Sequence, residues 1–482
     1  MYTLMFHPND LLRRLPAPLC LFLSSVLLAG CSGRPDAAGA PPSELRAFAG
    51  APARVVWVQG DGTDPYAAGT NLILMGLDSE DGRGERVILG ERGSYIKPML
   101  TPRGTRIVYS TSPRAEGGPT VHLVNWDGSG RRQIANGFAL AVWENPADRS
   151  EWLYIGTDHK EYDFATVSRF PLDDPSRREL VWNQTMVSGD TFQVSADGRH
   201  AGGLFPWPNA GIAELPNRSW RKVGEGCWTA LNTVRGPLFW YFDGAHRNLL
   251  MFDASTDARW TVPINVAPGF ENPEVYHPRW TNHPRFFAMS GPYNRGGANQ
   301  VRSGGAQTEV WLGRFSEDFT SVEAWLRVTS NDGGDSYPDV WIDRERSTHA
   351  ARPAGRIGPA GAGAASATGR GTAPAERVVL EARLVHAGPV PAPQSILPYR
   401  NALVVSEYEV AKVVEGTYTP STIRVAQWAI RDSKVLPGAQ KSAGASARLA
   451  VERYDAHPEL EGERLITDLP SSDLPLYYEV ER

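Results

Sequence analysis

Along residues 94–135, apolar and polar positions fall into four short bursts: SYIKPML, TRIVYST, TVHLVNW and RRQIA. Each is rich in β-branched and aromatic residues and bounded by polar, glycine-bearing gaps, the pattern of short half-buried strands. The gap Pro102-Arg103-Gly104 follows the first strand, and Asp127-Gly128-Ser129-Gly130 follows the third. Asp127-Gly128 supplies the positive φ angles that a tight hairpin demands. Four strands joined by such turns make one antiparallel sheet.

The same unit recurs. Copies span about 138–182 (with SEWLYIGT), 186–222 (ADGRHAGGLF), 226–262 (GPLFWYF, then NLLMFDA) and 274–328 (RFFAMSG, then TEVWLGRF). A four-strand period of about 40 residues is that of a β-propeller, because one such sheet buries its faces only against neighbouring copies. The ends complement each other. DSYPDVWID (335–343) reads as a first strand with nothing after it. RVVWVQG (54–60), NLILMGLD (71–78) and ERVILG (85–90) read as second to fourth strands with no first. The expected domain is therefore a six-bladed propeller over 51–345 whose two ends share one blade, leaving no exposed edge.

Residues 346–376 are almost wholly Ala, Gly, Pro, Arg, Ser and Thr without apolar periodicity, and read as a flexible linker. β-signals return in 377–482: VVLEARLVHA, NALVVSEYEVAKVV, STIRVAQWAI, ARLAVERY and LYYEVER. Five alternating strands predict a small barrel or sandwich, so the expected class is all-β throughout. The run ALVVSEYEVAKVVEGTYTPSTIRVAQW resembles netrin-like or OB-type barrels, in which a long bent strand precedes a glycine-marked turn, here Gly416. An unrelated sandwich remains the alternative.

Composition narrows the classes further. Forty-eight glycines, 38 prolines and 15 tryptophans suit many turns and short strands. The net charge of −5, with no Lys/Arg run, gives no phosphate-binding face for nucleic acid. Cys20, Cys31 and Cys227 form neither a CxxC nor a zinc-type spacing. Cys227 reads as a small buried hydrophobe.

Residues 1–31 combine Arg13 and Arg14, an apolar stretch and small residues before a cysteine, as a secretory signal does. Leu28-Ala29-Gly30-Cys31 resembles the lipobox of bacterial lipoproteins. That resemblance implies acylation of Cys31, cleavage before it, and, with Ser32 next, an outer-membrane destination. Residues 32–50 then form a flexible tether.

PMLTPRGTRIVYS and VNWDGSG resemble the repeats of TolB-type propellers, and FQVSADGRH matches their turn. TNHPRFFAM lacks the Asp-Gly, and NTVRGPLFW keeps only the glycine. The resemblance implies the fold and leaves the chemistry open.

No GxSxG elbow, HExxH or P-loop occurs, so no catalytic residue, metal ligand or cofactor is assigned. Candidate binding residues are those near first strands, which line a propeller's channel: Lys97, Asp190, His277, Trp280 and His283. His277 and His283 read either as metal or sugar-acid ligands, as in propeller-type pectic lyases, or as polar residues satisfied at a blade edge. Trp143, Trp228, Trp280 and Trp341 read as inter-blade packing or as platforms for sugar rings. His246 and Arg247, in FDGAHRNLL, read as a surface turn. The expected function is a lipid-anchored periplasmic or cell-surface binding or scaffold protein with an envelope protein, peptide or glycan as partner. The alternative is a polysaccharide lyase or hydrolase acting at the channel mouth.

Overall fold

Every blade must bury both faces of a four-stranded sheet, and a closed ring satisfies all of them at once. The computed structural model describes residues 39–61, 71–189, 191–232, 238–270, 273–293, 308–349, 357–359, 376–396, 399–469 and 474–480. The leader, Cys31 and Asp190 lie outside the described residues. Six antiparallel sheets, each a run of four strands, form a six-bladed β-propeller. Blade 1 takes its innermost strand, Gly334–Ile342, from the far end of the domain. Its other strands, Ala53–Gly60, Leu72–Asp78 and Arg86–Gly93, come from the beginning. Blades 2 to 6 follow in chain order, with innermost strands Ile96–Leu100, Phe138–Glu144, Phe192–Val194, Cys227–Asn232 and Glu274–Trp280.

The closing pair is apolar and specifically bonded. Val55 faces Val340 and Val56 faces Asp339 across it. The buried Trp57 indole donates to Asp335 Oδ1 at 2.9 Å. The helix Pro42–Ala49 lies over the seam between blades 6 and 1. It places Leu45 and Ala49 in a cluster with Val55, Trp57, Phe286 and Val340. Among the described residues, no helix is long and apolar enough to cross a membrane.

The glycine of the repeated turn has a steric reason. Gly104 has φ 69°, and a Cβ there would lie 2.5 Å from the Trp341 ring. Gly198 has φ 72°, and a Cβ there would lie 2.7 Å from the Trp143 ring. In both cases the tryptophan near the end of one innermost strand covers the first turn of the next blade. Its indole donates to that turn's backbone: Trp341 to Pro102 O at 2.7 Å, Trp143 to Ala196 O at 3.1 Å. These two tryptophans are inter-blade packing, held in place by turns that only glycine fits.

The second domain is a closed five-stranded barrel. Val378–His386 pairs Ala402–Glu415, which pairs Thr422–Arg431. That strand pairs Leu476–Glu479, then Ser446–Arg453, which returns to Val378–His386. The long strand breaks register three times against its first neighbour, which lets it serve two neighbours. Gly416 follows it at φ 78°. Leu380, Leu384, Tyr408, Ile423, Val425 and Leu449 fill the interior.

Gly104→Ala should destabilise the propeller by about 1–2 kcal/mol for the left-handed backbone, plus about 1–3 kcal/mol for crowding Trp341. In a double-mutant cycle read by chemical denaturation, Trp341→Ala should relieve the crowding part only. Additive losses would show that the ring and the turn are not coupled.

Candidate functional site

Strand direction alternates within a blade, so turns joining second to third strands share one end of the ring with the starts of the innermost strands. That end is built around a repeated backbone irregularity. The innermost strands shift register at Ile96/Met99, Ala139/Ala141, Cys227/Ala230 and Tyr276/Arg279, and blade 1 shifts opposite Val56/Val58. At four of these five bulges a non-glycine residue has positive φ: Lys97 at 51°, Trp228 at 38°, His277 at 55° and Tyr337 at 53°. A bulge re-aims its side chain, and here each contributes to a small recess in the channel, beside Thr191, Gln193 and Arg279.

The groups in this recess are strongly engaged. Lys97 is buried, and its ammonium donates to Leu140 O at 2.9 Å and Gly189 O at 2.8 Å, tying blade 2 to blade 3 and to the connection that leads from it into blade 4. His277 lies 4.1 Å from the Tyr337 ring centroid and 4.8 Å from that of Trp228. Its Nδ1 sits 3.3 Å from the Tyr293 hydroxyl and 3.4 Å from Ser290 Oγ. Arg279 pairs with Asp339 at 3.3 Å, and that carboxylate also accepts the Leu100 N–H at 2.7 Å. Burial pushes the Asp339 carboxyl up, against the lowering by Arg279.

Lys97 and His277 therefore meet at the channel, joined by Trp228. The structure places Trp280 and His283 elsewhere. Trp280 stacks in the core, 4.2 Å from Trp240 and 4.9 Å from Phe315. His283 belongs to a first-to-second-strand turn at the opposite end of the ring, where its Nδ1 accepts the Arg285 N–H. Burial lowers its pKa to about 4. Tyr337, Arg279 and Asp339 were not singled out by sequence. The signal was present: Lys97-Pro98, His277-Pro278 and Tyr337-Pro338 repeat one dipeptide pattern at one blade position.

The barrel docks on the same end of the ring, over blades 4 to 6, and overturns the reading of His246 as a surface residue: it is 1 % exposed. Arg464, fully buried, pairs with Glu274 and donates to Gly244 O at 3.0 Å. Gly244 packs so closely on Glu463 O that no Cβ fits there. The Gly244 N–H donates to Glu461 O, and the Leu465 N–H to Gly244 O. His246 Nδ1 lies 3.6 Å from Glu274, and its Nε2 3.1 Å from the Tyr399 hydroxyl. That hydroxyl donates to Cys227 Sγ at 3.3 Å. Cys227 is buried as expected, and directly precedes Trp228 of the channel. Burial and then Arg464 hold His246 down to about 4. Burial would raise Glu274, but Arg464 and His246 outweigh it and lower it to about 2. Among the described residues, no three His, Cys, Asp or Glu side chains converge in a way that could hold a metal ion.

No protein-family model and no curated protein matches the chain. Among solved structures it is similar to TolB from Acinetobacter baumannii, at 15% identity and TM-score 0.42, over 61% of this chain and 69% of that one. It is also similar to a putative TolB from Agrobacterium tumefaciens, at 13% identity and TM-score 0.28, over 45% and 72%. An oligogalacturonate lyase in complex with manganese matches at 14% identity and TM-score 0.26, over 33% and 44%. These are likenesses of fold.

Lys97→Met should cost about 1–3 kcal/mol, because two buried carbonyls lose their donor. A neutral or stabilising effect in thermal denaturation would instead mark Lys97 as a group held for a ligand. A second expectation concerns acid. Unfolded, His246 protonates near 6.5; folded, only near 4. Between those values the unfolded chain holds more protons, so stability falls as pH falls. Asp335, raised by burial to about 7, titrates in the opposite sense in any variant that keeps it. The difference between wild type and His246→Gln therefore reads His246 together with its lowering of Glu274, which acts in the same sense: the variant should lose less stability from pH 6.5 to pH 4. Parallel curves would refute the buried neutral imidazole.

Proposed function

We propose that this chain is a lipid-anchored binding or scaffold protein of the bacterial cell envelope. Its recognition surface is the end of the propeller that carries the channel mouth, extended by the barrel docked beside it. The observation that carries this reading is the buried Arg464–Glu274 pair with its Gly244 contacts. Together with the Glu461–Gly244 and Gly244–Leu465 backbone bonds, the pair fastens the barrel to blades 5 and 6 within one compact unit, and removing either charge alone would leave the other buried without its counter-charge, at about 3–5 kcal/mol. A two-domain surface fastened in this way suits a macromolecular partner, since little ordering entropy is lost on binding. The channel groups are engaged with one another, which favours recognition by surrounding loops over chemistry deep in the channel. The lipobox around Cys31 supplies the anchor, and the TolB-like repeats fit a periplasmic or surface address. The partner in this reading is an envelope protein, peptide or glycan.

The test is a pull-down from native envelopes with the full chain and with Cys31→Ala. One specific partner recovered with the full chain, and Cys31→Ala released to the soluble fraction, is the expected result. A variant still found in membranes would overturn the anchor. Failure to recover a protein or glycan partner would overturn the scaffold role.

A further inference from the structure

The barrel has a mouth of its own, lined by none of the residues that form the Arg464–Glu274 seam. Along Ala402–Glu415 and Thr422–Arg431, alternate residues point inward. Deep in the barrel these are Tyr408, Ile423 and Val425, and the filling is apolar. Towards the mouth they become Ser406 and Gln427, joined by Glu479 of the strand Leu476–Glu479 and by Lys441 from the loop that lines the opening. The Tyr408 hydroxyl donates to Gln427 Oε1 at 2.7 Å, and Lys441 Nζ donates to the same oxygen at 2.6 Å. Gln427 Nε2 donates to Glu479 Oε2. Gln427 and Ser406 are more than nine-tenths buried. Beside this row lies a recess of about 330 Å³, with Val404, Ala429, Leu436 and Ala439 as its apolar wall. That size lies within the range of small-ligand sites, and barrel mouths are a common place for them.

The Gln427 carboxamide shows what its flanks recognise. Its acceptor end meets an ammonium donor, and its donor end meets a carboxylate. Lys441 uses two of its ammonium's three donors, on Gln427 and, at 3.1 Å, on the Tyr408 hydroxyl, so one donor remains, and the Glu479 carboxylate keeps acceptor positions beyond the one that Gln427 takes. We infer that the barrel mouth is a binding site for a short peptide segment. A ligand peptide group lies alongside Gln427, its carbonyl accepting from Lys441 and its N–H donating to Glu479, with a small apolar side chain against the Val404–Ala439 wall. The site stands apart from the propeller's recognition surface and does not depend on that surface having a partner.

The probe is the blocked peptide acetyl-Ala-Ala-N-methylamide, titrated into the full chain by calorimetry. Binding with a dissociation constant of about 1 mM or tighter is expected. Lys441→Met should weaken it at least about tenfold. Ala439→Trp, which fills the recess from the loop, should abolish binding while the protein stays folded, with a thermal midpoint near that of wild type. No heat with wild type up to about 10 mM peptide would overturn the site. So would binding that survives Ala439→Trp. If unblocked zwitterionic Ala-Ala binds and the blocked peptide does not, recognition is of charges and the peptide-group assignment falls.

Discussion

Everything in this molecule rests on the requirement that a blade be covered on both faces. Strands such as Phe286–Tyr293, Leu238–Phe242 and Ile96–Leu100 are buried almost along their whole length. No blade could stand in water alone, and no open row of blades could end without exposing one apolar face. Ring closure through Gly334–Ile342 and Ala53–Gly60 removes that exposed face, and the Trp57–Asp335 bond fixes the register of the closing pair. The helix Pro42–Ala49 then covers the seam between the closed blade and blade 6. The long-range pairing at closure spans nearly the entire domain, so the ring becomes stable only as a whole.

The seam to the barrel follows another logic. It buries charge, and charge buried between domains demands geometry: Arg464 is held by Glu274 on one side and by the Gly244 carbonyl on the other. The turn Asp243–Arg247 therefore has a double duty. It joins two blade strands, and it presents a carbonyl, an imidazole and a side-chain-free surface to the second domain.

The blades were legible in the sequence because their signals are local: period-two apolar runs, Asp-Gly turns, and a pair of half-blades at the two ends. The barrel's strands were legible for the same reason. The seam was not. Asp-Gly-Ala-His-Arg-Asn has the composition of any exposed hairpin, and what covers it comes from far along the chain: Tyr399 against His246, and Arg464, in a segment 220 residues beyond Gly244. That segment, GERLITD, looks like a charged surface tail. Lys97 and His277 could be placed at the channel by counting blades, because a propeller's innermost strands are fixed by topology. Trp280 and His283 failed by the same count, since a shift of three residues along a strand moves a side chain into the inter-blade core, and six moves it to the other end of the ring.

The four bulges at the channel carry a consequence for how such a molecule diversifies. Lysine, tryptophan, histidine and tyrosine occupy one backbone position in four blades, each held left-handed by a register slip in its strand. The slip, and not the residue, creates the position. A substitution there changes the lining of the axis while the hydrogen-bonded ladder on either side stays as it was. The settings differ in what they hold: Lys97 grips two backbone carbonyls across a blade boundary, whereas Trp228, His277 and Tyr337 pack on one another, so one backbone device carries a polar clasp on one side of the axis and an aromatic cluster on the other.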